Sequence, residues 1–116
     1  MNRIQSFRCA LKGIKNLFKA EMNARIQLAL ALTAIIAGIV LGISATEWAI
    51  VALCIGLVLA MEAMNTAMEQ VCNFVEPEKH PLIGKIKDMA AGAVLLVSIG
   101  SATAGLMIFI PKFVQL

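Results

Sequence analysis

Three polar residues lie within an otherwise apolar stretch and are spaced so that they could act together. Glu62, Asn65 and Glu69 belong to the run E-A-M-N-T-A-M-E. Their i, i+3, i+7 spacing places them on one side of an α-helix, which has 3.6 residues per turn. A carboxylate within a bilayer costs a few kcal/mol and is a functional candidate by default, whereas polar bonding between helices is the structural alternative. The spacing predicts one functional stripe, with Asn65 in a supporting position.

The two carboxylates of this stripe are predicted to have different roles. Glu62 and Glu69 are about 10 Å apart along a helix, too far to share one ion comfortably. Counted from Trp48, Glu62 lies roughly 21 Å into a hydrocarbon layer about 30 Å thick, and Glu69 lies roughly 32 Å along. Glu69, at the polar boundary, suits a Mg²⁺ ligand completed by phosphate oxygens and water. Glu62, in drier surroundings, suits a general base.

Further candidates flank this stripe. Glu21 is a possible second carboxylate for the ion, and its alternative is an i, i+4 ion pair with Arg25. The polar segment 76–88 contains cations and hydrogen-bond donors suited to phosphate oxygens, although a lone histidine there is more often a solvated loop residue. These residues are His80, Lys85, Lys87 and Asp88.

The composition predicts that these residues are positioned by membrane-spanning helices. Of the 116 residues, 60% are apolar and 15% are charged, and the mean hydropathy is +0.88. So short a chain cannot bury this much apolar surface in one water-facing core. The predicted fold is an all-α membrane protein of one domain, 1–116. It has a basic amphipathic surface helix at about 3–20 and spans at about 26–43, 47–75 and 87–110.

Local signals predict how the spans begin, end and pack. Ser44 or Thr46 is expected to cap the second span after a very short turn, with Trp48 as an interfacial anchor. A stripe of small residues on the first span is expected to allow close helix contact. Pro111 and Lys112 are expected to end the third span, and segment 76–88 is expected to be a loop. The small residues of the stripe are Ala34, Gly38 and Gly42.

The basic residues predict the orientation of the chain. Six of the ten Lys and Arg residues precede the first span, three lie in the second loop, one follows the last span and none lies in the first loop. By the positive-inside rule, the N-terminus and the second loop are cytoplasmic. The net charge of +3 therefore reports membrane orientation, and no nucleic-acid partner is expected. The three cysteines are interpreted as small apolar residues because their number and spacing fit neither a disulfide framework nor a metal site.

Several short motifs, in this order along the chain, resemble the prokaryotic diacylglycerol kinase family of membrane lipid kinases. They are K-G at Lys12-Gly13, E-x-x-x-R at Glu21 and Arg25, E-x-x-N-T-A-x-E from Glu62 to Glu69, and E-x-H-x-x-x-G-x-x-K-D from Glu78 to Asp88. The run K-D-M-A-A-G-A-V-L from Lys87 to Leu95 is more similar to the undecaprenol kinase branch. The resemblance extends over nearly the whole chain.

The resemblance implies a homotrimer in the bacterial inner membrane, with active sites shared between neighbouring subunits near the cytoplasmic face. Glu62 would be the catalytic base on the lipid hydroxyl, and Glu21 and Glu69 would hold Mg²⁺ with ATP. Glu78, Lys79, His80, Lys87 and Asp88 would contact the nucleotide, while Asn23, Arg25 and Ala91 would border the lipid. The chain departs from the family pattern at Asn73, where an acidic residue is expected, and at Cys9, where one branch often has an aromatic residue.

Two questions remain open at the level of sequence. The lipid alcohol is either diacylglycerol or undecaprenol, because selectivity for the lipid leaves no short motif. A different class, a non-catalytic small membrane protein or a proton-coupled transporter that uses Glu62, is the alternative to a kinase. It predicts neither ATP hydrolysis nor lipid phosphorylation.

Overall fold

A computed structural model describes residues 2–116, and within this range it contains four α-helices and no strand. The helices are α1 (Arg3–Ala20), α2 (Met22–Leu41), α3 (Ala45–Val75) and α4 (Pro81–Val114). The last three are long and apolar enough to cross a membrane. The predicted all-helical fold is confirmed, with three helices able to span a membrane; the surface position of α1 stays a prediction.

Side-chain caps define where the helices begin. Asn2 and Gln5 form a capping box at α1, and Ser44 and Glu47 form one at α3. In each pair the two side chains accept hydrogen bonds from each other's backbone N–H groups, which would otherwise lack partners. Ser44 is therefore the cap of α3, which begins at Ala45, two residues before the start predicted at 47.

The connection between α3 and α4 is shorter than predicted. The expectation of a loop over 76–88 is wrong, because α4 already begins at Pro81 and only residues 76–80 lie outside helices. Proline at the first helical position has a φ angle suited to a helix and needs no intrahelical N–H partner. His80 caps this start by accepting a hydrogen bond from the Leu82 N–H at 3.1 Å. Lys85, Lys87 and Asp88 are therefore held on the first two turns of α4.

The turn between α2 and α3 depends on two glycines with different roles. Gly42 ends α2 in the left-handed conformation (φ 67°), which glycine adopts without a Cβ penalty. Gly38 is buried, and a Cβ there would lie 2.7 Å from the Trp48 ring. The predicted stripe of small residues is thus a packing surface at Gly38, whereas a Cβ at Gly42 would meet nothing within 4 Å.

Helix α3 packs against both α2 and α4. A small apolar core of Ile43, Val51 and Ile108 lies near the turn, with Trp48 packed against it. Most other large apolar side chains point outwards; Phe74 and Leu96, for example, are 91% and 74% exposed. Such exposure fits a chain whose second apolar solvent is lipid.

The end of α4 also differs from the prediction. Pro111 does not end the helix but lies inside it, and α4 continues to Val114. A proline removes one helical N–H and kinks or breaks most helix interiors, but here only one further turn follows. This extra turn brings Lys112 to within 3.4 Å of Glu47 on α3.

Helix length determines where polar groups lie relative to the membrane. With 31 residues, α3 is about 46 Å long at about 1.5 Å per residue, longer than a hydrocarbon layer of about 30 Å. Its start is fixed by the Ser44 cap and the short turn. Its far end therefore lies beyond one hydrocarbon thickness from that start.

Candidate active site

The polar stripe of α3 lies together as its spacing predicts. Glu62 is only 2% exposed and is the largest fully buried side chain of the described residues. One turn further, the Asn65 amide nitrogen donates to Glu69 Oε1 at 3.4 Å. The Oδ1 atom of Asn65 is buried and has no hydrogen-bond partner. The stripe thus combines an enclosed carboxylate with an unused acceptor, whereas a purely structural contact would satisfy both amide groups.

Three parts of the chain meet at Glu62. Glu21 and Glu69 lie near enough for like-charge repulsion with its carboxylate, and the Asn23 side chain lies beside it. Glu21 lies at the junction between α1 and α2, and Asn23 lies on the first turn of α2. The break between these helices is therefore what brings Glu21 to the α3 stripe. Two like charges near Glu62 form a site that favours a bound cation.

The junction is fixed by Arg25. Its Nη1 donates to the backbone oxygens of Phe18 and Lys19 at 2.9 and 3.0 Å. These carbonyls belong to the last turn of α1, where helical partners are missing. The alternative interpretation of Glu21 as an ion-pair partner of Arg25 is wrong, because the one salt bridge in residues 2–116 joins Glu47 and Lys112. The Glu21 carboxylate is consequently available to a ligand.

A second group of predicted residues lies around the 76–80 connection. A cavity of about 610 Å³ opens there, lined by Pro77, Glu78, Lys79, His80, Pro81, Ile83, Gly84 and Lys87. Four of the five predicted nucleotide contacts of the connection and α4 line this cavity, and Asp88, the fifth, is exposed on α4 beside Lys87. His80 is not merely solvated, since its Nδ1 caps α4. The cavity is open, charged and large enough for phosphate groups.

One hydrogen bond joins the α3 stripe to this cavity. Lys87 Nζ donates to Asn73 Oδ1 at 2.6 Å, across the 14 residues that separate them. Asn73 lies one turn after Glu69 on the same side of α3. From the sequence alone, Asn73 is notable only as a departure from the family pattern. Its i+4 spacing from Glu69 is the signal that could have placed it in the stripe.

An apolar groove with a volume of about 650 Å³ lies between α2, α3 and α4. Gln27 lines it, and the Oε1 atom of Gln27 is buried without a hydrogen-bond partner. Gln27 lies one turn after Asn23 on α2 and was not singled out from the sequence. A polar residue four positions after Asn23 in an apolar span was the available signal. Of the predicted lipid contacts, Ala91 is exposed on α4.

The carboxylates fit a magnesium ion that binds with a nucleotide. No group of three or more His, Cys, Asp or Glu side chains within residues 2–116 could hold a metal by itself. Mg²⁺ is usually bound by one or two carboxylates together with waters and substrate phosphates. Glu21 and Glu69, each of which acts electrostatically on Glu62, are carboxylates of that number and type.

Comparisons with known proteins identify the family of this chain. Residues 8–109 match the model of the family described as prokaryotic diacylglycerol kinase. The chain is 37% identical to an undecaprenol kinase of Bacillus subtilis (strain 168), over 97% of this chain and 92% of that protein. It is 34% identical to a diacylglycerol kinase of Synechocystis sp., over 99% of this chain and 66% of that protein. A diacylglycerol kinase of Haemophilus influenzae is 32% identical, over 91% of this chain and 92% of that protein.

The chain belongs to the prokaryotic diacylglycerol kinase family. The resemblance inferred from the short motifs is confirmed, and with it the prediction of a lipid kinase with membrane helices. The alternative of a non-catalytic protein or transporter is not supported, because the family and these relatives are named as kinases.

Proposed function

We propose that this protein transfers the γ-phosphoryl group of ATP to the hydroxyl group of a membrane lipid, with Glu62 as the general base. The observation that carries the proposal is the position of Glu62. It is a carboxylate with 2% exposure, part-way along a membrane helix, beside Glu21, Glu69 and Asn23. A lipid alcohol is the substrate hydroxyl that can reach this depth without leaving the bilayer.

The reaction requires little covalent chemistry from the protein, because phosphoryl transfer depends mainly on positioning and charge stabilisation. Glu62 accepts the proton of the lipid hydroxyl as that oxygen forms a bond to the γ-phosphorus. The bond between the γ-phosphorus and the ADP oxygen breaks, and ADP leaves. Glu62 then returns its proton to water. The unused acceptor of Asn65 lies one turn away and is suited to orient the hydroxyl.

The nucleotide is proposed to lie at the open cavity beside the 76–80 connection. Lys79, His80 and Lys87 provide donors for phosphate oxygens, and Glu78 and Asp88 are suited to contact the nucleoside. Glu21 and Glu69 would hold Mg²⁺, which supplies neutralisation of the phosphate charge when bound. The α3 stripe runs from this cavity to Glu62, so that the two substrates approach from water and from lipid.

The lipid is proposed to enter beside α2, where Asn23 and Ala91 border the path and Arg25 fixes the helix junction. The apolar groove with Gln27 provides room for a chain. Both undecaprenol and diacylglycerol carry a suitable hydroxyl. The likeness to the Bacillus protein, which extends over almost the whole of both chains, favours undecaprenol.

The proposed setting is a bacterial plasma membrane, with α1 on the cytoplasmic surface and the N-terminus and 76–80 connection in the cytoplasm. The exposed apolar side of α1, including Ile4, Phe7 and Leu11, supports an interfacial position. The chain is proposed to act as a single domain within a homotrimer, because so many apolar side chains are left for contact with lipid or other subunits.

Lipid phosphorylation tests the function directly. Purified protein in micelles is given labelled ATP, Mg²⁺ and either undecaprenol or diacylglycerol. We expect label in the lipid fraction, with a higher kcat/KM for undecaprenol. A higher kcat/KM for diacylglycerol would reverse the substrate assignment, and no labelled lipid with either alcohol would contradict the proposed function.

A further inference from the structure

We propose that Asn73 is a positioning residue that holds Lys87 through a neutral hydrogen bond and thereby leaves the charge of Lys87 available to the phosphates of the nucleotide. This inference rests on the proposed function in one respect, since it takes the nucleotide to lie at the cavity beside Lys87. It adds a residue that the resemblance marked only as a departure from the family pattern.

The contact itself is short and joins two helices. Lys87 Nζ lies 2.6 Å from Asn73 Oδ1, between the end of α3 and the second turn of α4. A lysine side chain has four flexible carbons and loses rotamer entropy when it is fixed. A fixed acceptor on the neighbouring helix restricts that freedom before the nucleotide binds. Lys87 is half-buried and lines the 610 Å³ cavity, so the restricted ammonium group lies at its edge.

The electrostatic character of the contact is what distinguishes Asn73. An amide oxygen accepts a hydrogen bond without carrying a net charge, whereas a carboxylate at the same place would form an ion pair with Lys87. Within residues 2–116, the one salt bridge is formed by Glu47 and Lys112 at the other end of the molecule. Lys87 therefore has an acceptor but no carboxylate within 4 Å. Its charge is therefore not neutralised by a carboxylate of the described residues.

The hydrogen bond between Asn73 and Lys87 lies close to the α3 stripe. Asn73 follows Glu69 by one turn of α3, so Lys87 is held one turn away from a proposed Mg²⁺ ligand. An acidic residue at position 73 would add a third negative charge to Glu62 and Glu69 on this face. It would both pair with Lys87 and repel the phosphates, and a neutral amide avoids both effects.

The test compares Asn73→Asp with Asn73→Ala in full-length protein in micelles. Asp has the same shape and makes a stronger bond to lysine, so a purely structural contact would be kept or improved by it. We expect Asn73→Asp to raise the KM for MgATP about fivefold with kcat nearly unchanged, and this effect to shrink at high salt because charge interactions are screened. Asn73→Ala is expected to raise KM about twofold at all salt concentrations.

The matched control is Gln70→Glu, which adds the same charge at an exposed position three residues earlier on α3. Gln70 makes no hydrogen bond through its side chain in the structure. We expect its KM for MgATP to rise less than that of Asn73→Asp. An equal rise would mean that general negative charge, and not the contact with Lys87, is responsible, and would overturn the inference.

Direct binding separates this inference from the proposed function. The dissociation constant of labelled MgATP is measured by equilibrium dialysis for the same variants. Weaker binding by Asn73→Asp supports the inference even if the wild-type protein phosphorylates no lipid, a result that would contradict only the proposed function. Binding by Asn73→Asp as tight as in the wild-type protein, or the absence of MgATP binding by the wild-type protein, would overturn the inference.

Discussion

The two ends of the helix bundle satisfy their polar groups very differently. At the end formed by the α2–α3 turn, Ser44 and Glu47 satisfy each other's backbone groups and Glu47 also pairs with Lys112. At the other end, Glu62 lies beside two further carboxylates, and the Asn65 and Gln27 oxygens are buried without partners. Burying unpaired polar atoms is costly. We infer that the first end maintains the fold and the second is arranged for ligands.

The largest effect is expected for Glu62→Gln, which should lose catalysis. Gln has nearly the same shape but cannot accept a proton, so the turnover number should fall by about 10²–10⁴-fold, the usual contribution of a general base. The KM for MgATP and the helical circular dichroism should change little. Assays of lipid phosphorylation in micelles measure the turnover number and the KM for MgATP.

The matched control is the same substitution at the other end, Glu47→Gln. Glu47 lies on the same helix but pairs with Lys112, far from the stripe. Turnover should remain close to that of the wild-type protein. Near-normal turnover in Glu62→Gln, or an equal loss in Glu47→Gln, would refute the assignment of Glu62 as the base.

The next effect in size is expected for Glu69→Gln. Removing one of two proposed carboxylate ligands should raise the Mg²⁺ concentration for half-maximal activity by about tenfold. A tenfold change corresponds to a loss of about 1.4 kcal/mol of binding free energy. High Mg²⁺ should restore much of the activity. Activity titrated with Mg²⁺ measures this. A loss that no Mg²⁺ concentration relieves would instead give Glu69 a role beyond ion binding.

The sequence predicted positions along one helix better than contacts between helices. Helical spacing placed Glu62, Asn65 and Glu69 on one side of α3, because the period of a helix is fixed. The contact between Lys87 and Asn73 depends on where α4 begins relative to the end of α3. The sequence does not predict that register, because segment 76–88 is rich in polar residues and indicates a loop, although Pro81 favours a helix start.

The same limitation applies at the α2–α3 turn. A stripe of small residues predicts close packing without saying what packs there, and the partner of Gly38 proved to be Trp48. Lys112 and Glu47 are 65 positions apart in sequence, and their pairing depends on α4 continuing beyond Pro111. Tertiary register of this kind is set by the packing of whole helices, whereas spacing along one helix is local.

The third prediction concerns stability, through Gly38→Ala. The added Cβ would lie 2.7 Å from the Trp48 ring, and overpacking of this type costs about 1–3 kcal/mol. The better helix propensity of alanine offsets up to about 1 kcal/mol of this. The thermal midpoint in micelles should therefore fall. At Gly56, where a Cβ meets nothing within 4 Å, the same substitution should cause no loss, and an equal fall at both sites would argue against the Trp48 contact as the cause.

The smallest effect is expected for the ion pair between Glu47 and Lys112. Both side chains are partly exposed, 24% and 33% respectively, and pairs of this kind contribute about 0.2–1 kcal/mol. Lys112→Met should therefore lower the thermal midpoint only slightly, and the difference from the wild-type protein should shrink as salt is added. Glu47→Ala should lower it further, because it also removes the acceptor of the hydrogen bond that the Ser44 N–H donates to Glu47 at 2.9 Å. If Lys112→Met proved as damaging as Gly38→Ala, the ion pair would have to hold α4 against α3 much more strongly than its exposure allows.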